Sequence, residues 1–179
     1  MDFKILEFIR LHCKCKFMDF IMKNISTFFN YSIVWMVLGV VLISFNSTRV
    51  IGYEIFVSLT LELLICNAFV KRISKRARPF TKKEEVNLLI NPPKDYSFPS
   101  GHTLCAFMCA TIIAAHVYWA GIILYVVAFL VAFSRMYLYV HYPSDVLAGA
   151  LMGMFIALLA NQLVEFLISH GWIDRKSVV

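Results

Sequence analysis

Charge is what this chain has least of. Charged side chains make up 16% of its 179 residues, and acids are the scarcer kind, 11 Asp and Glu against 17 Lys and Arg. Soluble domains carry about 25% charge and 45–50% apolar residues, whereas this chain is 60% hydrophobic. That balance excludes an ordinary water-soluble globule and indicates a chain that lives in a bilayer. A cysteine pattern is also wanting. The five cysteines are Cys13, Cys15, Cys66, Cys105 and Cys109, an odd number. Cys13-Lys14-Cys15 lacks the two-residue spacer of a zinc site, and the last three fall in apolar runs, where a free thiol is a small packing residue. No metal, cofactor or nucleic-acid partner is expected. No charged start, short apolar core and small-residue cleavage site open the chain, so the first membrane span is expected to act as the insertion signal. There is no internal repeat and no low-complexity segment.

What is present in abundance is apolar sequence in blocks near the ~20-residue spanning length. Five spans are expected, at 31–45, 50–70, 103–119, 121–139 and 146–168, giving an all-α polytopic membrane bundle. Residues 1–28 are too charged to span. Ile5, Phe8 and Ile9, then Phe17, Phe20 and Ile21, recur at helical spacing, so amphipathic helices lying in the interface are expected there. The transmembrane domain is expected to cover 29–170, with a polar tail at 171–179. Gly149 and Gly153 form a GxxxG continued by Ala157, and Ala106, Ala110 and Ala114 repeat the spacing. Small residues at this interval let helices approach closely, so the third and fifth spans are expected to touch.

Five spans place three polar islands on one membrane face. In "KRISKRARP", Lys71, Lys75 and Arg78 would share a helix face if the second span continued to Pro79, which would stop it. An ordinary juxtamembrane basic cluster would read the same way. In "FPSGHT", Ser100 is a natural N-cap, Gly101 lets a ligand near the backbone, and His102 lies in the first turn. The open amides and positive dipole end of a helix make an anion site. In "SRMYLYVHYPSD", Arg135 closes the fourth span, and Pro143 suits the first position of the fifth helix. That places Asp145 one turn from His141, where it could accept a hydrogen bond and fix the imidazole tautomer. Each island alone also suits a plain helix end. Together, cations, open amides, two histidines and a carboxylate suit a phosphate group, whose transfer is mostly positioning and electrostatics.

The three islands spell Lys71-x6-Arg78-Pro79, Pro99-Ser100-Gly101-His102 and Ser134-Arg135-x5-His141-x3-Asp145. In this the sequence resembles the type 2 phosphatidic acid phosphatase family, whose signature matches in order at every defining position. The resemblance implies a metal-independent, two-step phosphatase. His141 would attack phosphorus, Asp145 would orient it, and His102 would protonate the departing oxygen. Lys71, Arg78, Ser100, Gly101 and Arg135 would hold the phosphate oxygens. Many family members have six spans; the short chain with an amphipathic start is similar to bacterial undecaprenyl-diphosphate phosphatases. A polyprenyl diphosphate is therefore the expected substrate, with phosphatidylglycerophosphate or phosphatidic acid as the alternative. A lipid phosphotransferase, or a non-catalytic lipid-binding or transport protein, are further readings.

Other polar residues are expected to be structural. Glu62 and Asn67 lie in the second span, where an ionisable group is a functional candidate by default. A structural reading is nevertheless favoured, with Glu62 protonated or paired with another helix and Asn67 bonded across helices. Glu54, Glu165 and His170 are expected nearer the interface, and His116 far from the motifs. Glu84 and Glu85 read as a solvated patch, and 79–98, long for a structureless loop, as a lid over the headgroup. Sidedness is contested. Fourteen of the 17 Lys and Arg fall on the motif face, which by the positive-inside rule is cytoplasmic. The family resemblance implies the periplasm or exterior, and that is the expectation adopted.

Overall fold

A computed structural model describes residues 1–83 and 87–173. The expected patch at Glu84 and Glu85, part of the 79–98 connection and most of the polar tail lie outside the described residues. Within them every regular element is helical. Two amphipathic helices, α1 (Asp2–His12) and α2 (Lys16–Phe28), precede α3 (Ile33–Ser44). Next, α4 (Arg49–Glu62) passes through a π-helical stretch (Leu63–Val70) into the single turn of α5 (Lys71–Ser74). The bundle is completed by α6 (Gly101–His116), α7 (Tyr118–Tyr137) and α8 (Pro143–Ser169).

The solvent is legible in what faces outward. Val37, Val40, Leu63, Phe129, Leu147, Leu151, Phe155 and Leu158 are all more than half exposed. A soluble fold would bury these, whereas a bilayer covers them. The run from α4 through α5, α7 and α8 are each long and apolar enough to cross. The expected first span is shorter than foreseen, and α3 passes only together with α2, from which it is bent by 53°. The third, α6, has 16 residues. It can be short because it runs through the protein centre: Thr103 to Ala110 are all buried. Its neighbours lie where the small residues allow. A Cβ on Gly149 would stand 2.7 Å from the Ser100 carbonyl oxygen, and one on Gly153 would stand 2.3 Å from that of Leu104. So α6 and α8 touch backbone to backbone, as the GxxxG spacing required, and their N-terminal ends meet.

One helix boundary differs from expectation. The second span does not continue to Pro79. Lys75 adopts a left-handed conformation, φ 43°, and ends α5. Arg78 is then extended and reaches the bundle from outside the helix. Lys75 therefore does not share a face with Lys71 and Arg78.

Candidate active site

The expected residues converge. Lys71, Arg78, Gly101, His102, Arg135 and His141 line one cavity of about 1040 Å³ at the end of the bundle where α6 and α8 begin. The backbone builds this convergence. Leu138 N donates to the Ser134 carbonyl, and Val140 N and His141 N both donate to that of Arg135. Tyr139 takes φ 59°, a left-handed conformation rare for a bulky residue. The corner so formed turns His141 back over the cavity wall.

His141 is buried and receives a hydrogen bond from Arg78. Arg78 Nη1 lies 3.0 Å from Nε2. A guanidinium can only donate, so Nε2 carries the lone pair and Nδ1 the proton. Burial, then the Arg78 and Arg135 charges, push the imidazole well below its usual range, so it is neutral at pH 7. An unprotonated nitrogen thus faces a cationic cavity.

Asp145 stands close by but not as foreseen. Its Oδ2 is 3.6 Å from His141 Nδ1, too long for a hydrogen bond. The carboxylate is committed elsewhere. Oδ2 accepts from Ser97 Oγ and from the Tyr142 backbone at 2.9 Å, and Oδ1 accepts from Arg76 Nη1. Arg76, a cation the motif leaves unspecified, also bonds Asp2, donates to Ser144 Oγ at 2.8 Å and lies 4.2 Å over the Tyr142 ring. Ser100 is fully buried beside the cavity. Its hydroxyl pairs with that of Thr103 at 2.9 Å, and its amide donates to the Asp145 carbonyl at 3.1 Å. No side chain caps α6, so its first-turn amides remain open for an anion.

Besides Arg76 and Ser97, which hold Asp145, and Asp95, which lines the cavity, two residues stand at the site in places the sequence reading did not give them. Ser26 of α2 is buried, accepts a hydrogen bond from Arg135 Nη1, and turns its backbone towards His102. Nothing in a lone serine of an amphipathic helix signals this. Glu62, a functional candidate for which a structural reading is favoured on sequence, lines the cavity. Glu62 and Lys71 are nine residues apart, which in an α-helix puts them about half a turn from facing together. The wider π-turns between them remove that offset. A Cβ on Gly101 would stand 3.8 Å from Lys71 Nζ and 3.9 Å from Glu62 Oε1.

Two buried nitrogens of cavity-lining residues have no partner, His102 Nε2 and Arg135 Nε, while His141 Nδ1 is turned away from the cavity towards Asp145. Native proteins rarely leave such groups orphaned, and a ligand that satisfies them is the ordinary explanation. Among the described residues, no three His, Cys, Asp or Glu side chains gather as a metal would need.

Comparison with known proteins agrees with this geometry. The sequence model of the PAP2 superfamily matches residues 51–169. An undecaprenyl-diphosphatase of Sulfolobus acidocaldarius is 35% identical over 131 residues, 73% of this chain and 63% of that protein. The chain thus spans less than two thirds of that relative's length. The bacitracin transport permease protein BcrC of Bacillus licheniformis is 32% identical over 78% of this chain and 71% of its own. Among solved structures, a transmembrane PAP2-type phosphatidylglycerolphosphate phosphatase of Bacillus subtilis superposes with a TM-score of 0.73. It is 26% identical, and the match covers 97% of this chain and 86% of that one.

Proposed function

Because the chain belongs to the PAP2 superfamily, we propose that this integral membrane protein is a lipid-phosphate phosphatase, cleaving undecaprenyl diphosphate to the monophosphate and inorganic phosphate. The observation that carries the reading is the Arg78–His141 contact, which leaves Nε2 unprotonated inside a cavity walled by Lys71, Arg78 and Arg135. Nε2 attacks the terminal phosphorus while the bond from phosphorus to the bridging oxygen breaks. His102, which takes up a proton when the substrate's negative charges enter beside it, gives that proton to the bridging oxygen as it leaves on the lipid monophosphate. Water, deprotonated by His102, then attacks the phosphohistidine and releases inorganic phosphate. Lys71, Arg78, Arg135, Gly101 and the open α6 amides hold the phosphoryl oxygens. Ser100 acts by fixing the helix mouth, and Asp145 by holding the corner that carries His141.

The apolar end of the same cavity, lined by Phe29, Met36, Phe56, Leu59 and Leu63, takes the first part of the tail. The lipid therefore reaches the site without leaving the bilayer. The test is phosphate release by the purified protein from a matched lipid series. Undecaprenyl diphosphate is expected to give the highest kcat/KM. Phosphatidylglycerophosphate is the second reading, favoured by the structural match over 97% of the chain, and a higher kcat/KM on it would replace the first.

The site is proposed to open to the cell exterior. Arg10, Lys71, Arg76, Arg78 and Lys83 of the motif face are paired with acids, so their presence there follows from the fold and the substrate's charge. A single cysteine placed in the 46–49 turn, in an otherwise cysteine-free chain, should react with an impermeant thiol reagent only from the cytoplasmic side.

A further inference from the structure

Asp95 belongs to none of the three motifs, yet its carboxylate stands between two of the cations that are to hold the substrate. Oδ2 is 2.7 Å from Lys71 Nζ, and Oδ1 is 2.7 Å from Arg78 Nη2. Arg78 has no N–H direction to spare. Nε donates to the Asp95 carbonyl at 2.9 Å, and Nη1 donates to the Val140 carbonyl at 2.8 Å and to His141 Nε2. Nη2 is shared between Oδ1 and the Tyr96 carbonyl at 3.4 Å. A phosphoryl oxygen cannot be added to this set; it must replace something. Two partners can yield: His141 Nε2, whose lone pair must leave Nη1 when it attacks phosphorus, and the Asp95 side chain, the only anion of the set, which is half exposed and lies on the connection before α6 rather than within a helix. Its backbone carbonyl can stay on Nε while the carboxylate swings away.

We propose that Asp95 is a specificity-determining residue: its carboxylate is the anion that the substrate's phosphate displaces, which selects dianionic terminal phosphates over phosphodiester headgroups. The logic is charge exchange. A terminal phosphate near pH 8 brings two negative charges and replaces one, so the swap gains attraction to Lys71 and Arg78. A phosphodiester brings one charge and replaces one, so it gains nothing. Diester lipids lie at the same depth in the membrane as the substrate and greatly outnumber it. An open cationic cradle would be filled by them. Although partial burial opposes ionisation, Lys71 and Arg78 hold the Asp95 carboxyl well below the usual range, so the stand-in is charged at pH 8.

The inference rests on the phosphatase reading, and the first arm of its test does not need activity. Binding of inorganic phosphate and of dimethyl phosphate to the detergent-solubilised protein is measured by calorimetry at pH 8. The parent should favour inorganic phosphate by at least about tenfold; equal binding would overturn the proposal whatever any variant does. In Asp95→Asn dimethyl phosphate should bind about tenfold more tightly than in the parent, and Asp95→Glu should retain the discrimination. The second arm is inhibition of phosphate release by phosphatidylglycerol in mixed micelles. It should be weak in the parent and strong in Asp95→Asn. If Asp95→Asn instead weakens both anions together, Asp95 is a permanent brace for Lys71 and Arg78, and the proposal fails. A parent that discriminates in binding but releases no phosphate from any lipid would sink the phosphatase reading and leave the role of Asp95 standing.

Discussion

Both ends of the bundle set a histidine beside a buried carboxylate, Asp145 at one and Glu54 at the other, and only one end has the makings of a site. At the end away from the motifs, Glu54 is 1% exposed and joins three helices. It accepts from His116 Nε2 at 2.9 Å and from Asn161 Nδ2 at 3.0 Å. The set closes on itself, one acceptor group shared by two donors. At the motif end Arg135 has no acid partner among the described residues, and its Nε and His102 Nε2 are buried beside a cavity without partners. A buried polar network that is complete is a strut; one that lacks an anion is a receptor. Residue types alone do not separate the two, because His and an acid occur in both.

The sharpest way to break the comparison is to remove one histidine from each end. His141→Ala should reduce kcat/KM by at least about 10⁴-fold, the scale seen when a nucleophile is lost. His102→Ala should cost about 10²–10⁴-fold, the usual share of a general acid. His116→Ala should leave kcat/KM within about threefold of the parent, since its partner is a helix tie and no substrate reaches it. Near-equal losses from His116→Ala and His141→Ala would mean that both act through folding.

A pH profile separates the ends in another way. The folded pKa of His141 is depressed below 6.5, so the imidazole is neutral from pH 7 down through its ordinary titration range. The acid limb of kcat/KM, which reports free-enzyme groups, should therefore lie below pH 6.5. Since the neutral ring is the favoured folded form, acidification must force a proton into a cationic pocket, and stability falls with it. A limb centred at or above 6.5 would show His141 solvated or paired with a carboxylate, contrary to the 3.6 Å separation from Asp145.

For Glu54 the expected loss is in stability. Glu54→Ala removes the acceptor of both His116 and Asn161; His116 is exposed and can turn to water, so the cost falls chiefly on the partly buried Asn161, about 1–3 kcal/mol for the one unsatisfied group. A lower melting temperature with unchanged kcat/KM in the surviving fraction is the expected result. Ser26→Ala should do the reverse. Losing one hydrogen bond to Arg135, about 0.5–1.5 kcal/mol, should lower kcat/KM by about two- to tenfold with little change in melting. Ser26→Thr, which keeps the hydroxyl, should restore it. Failure of Ser26→Thr to restore activity would show that the serine matters only for packing.

These contrasts also show what the sequence could and could not tell. The all-helical bundle, the α6–α8 contact and the six cavity residues follow from periodicity, GxxxG spacing and three motifs, since each is a property of residues near in sequence. Glu54 was expected to need no special role, yet it is buried at a three-helix junction, because burial depends on neighbours 62 and 107 positions away. Glu62 and Lys71 face one another only through a π-helical stretch that no periodicity of ordinary helices foretells. Asp145 looked free to bond His141 because Arg76 and Ser97, its actual partners, come from another part of the chain.

The smallest contrast concerns how the motif end is covered. Leu6 of α1 is fully buried against Tyr139 and Tyr142, so the helix rests on the corner that carries His141. Glu7 holds it there, 2.6 Å from Lys83 Nζ and 2.8 Å from the Tyr139 hydroxyl. Lys83 chiefly lowers its carboxyl from 4.5 to about 2, against some opposition from burial. A depressed carboxylate contributes stability that is whole above its unfolded value and is lost as pH falls through the folded one. Hydrogen-exchange protection of the α1 amides should therefore be constant above about pH 4.5 and decline towards pH 2. In Glu7→Gln that dependence should flatten, while the Glu54 network at the far end, out of reach of Glu7, should keep its own protection unchanged. Equal loss of protection at both ends would mean that α1 is part of the bundle's global stability and not a separable cover of its active end.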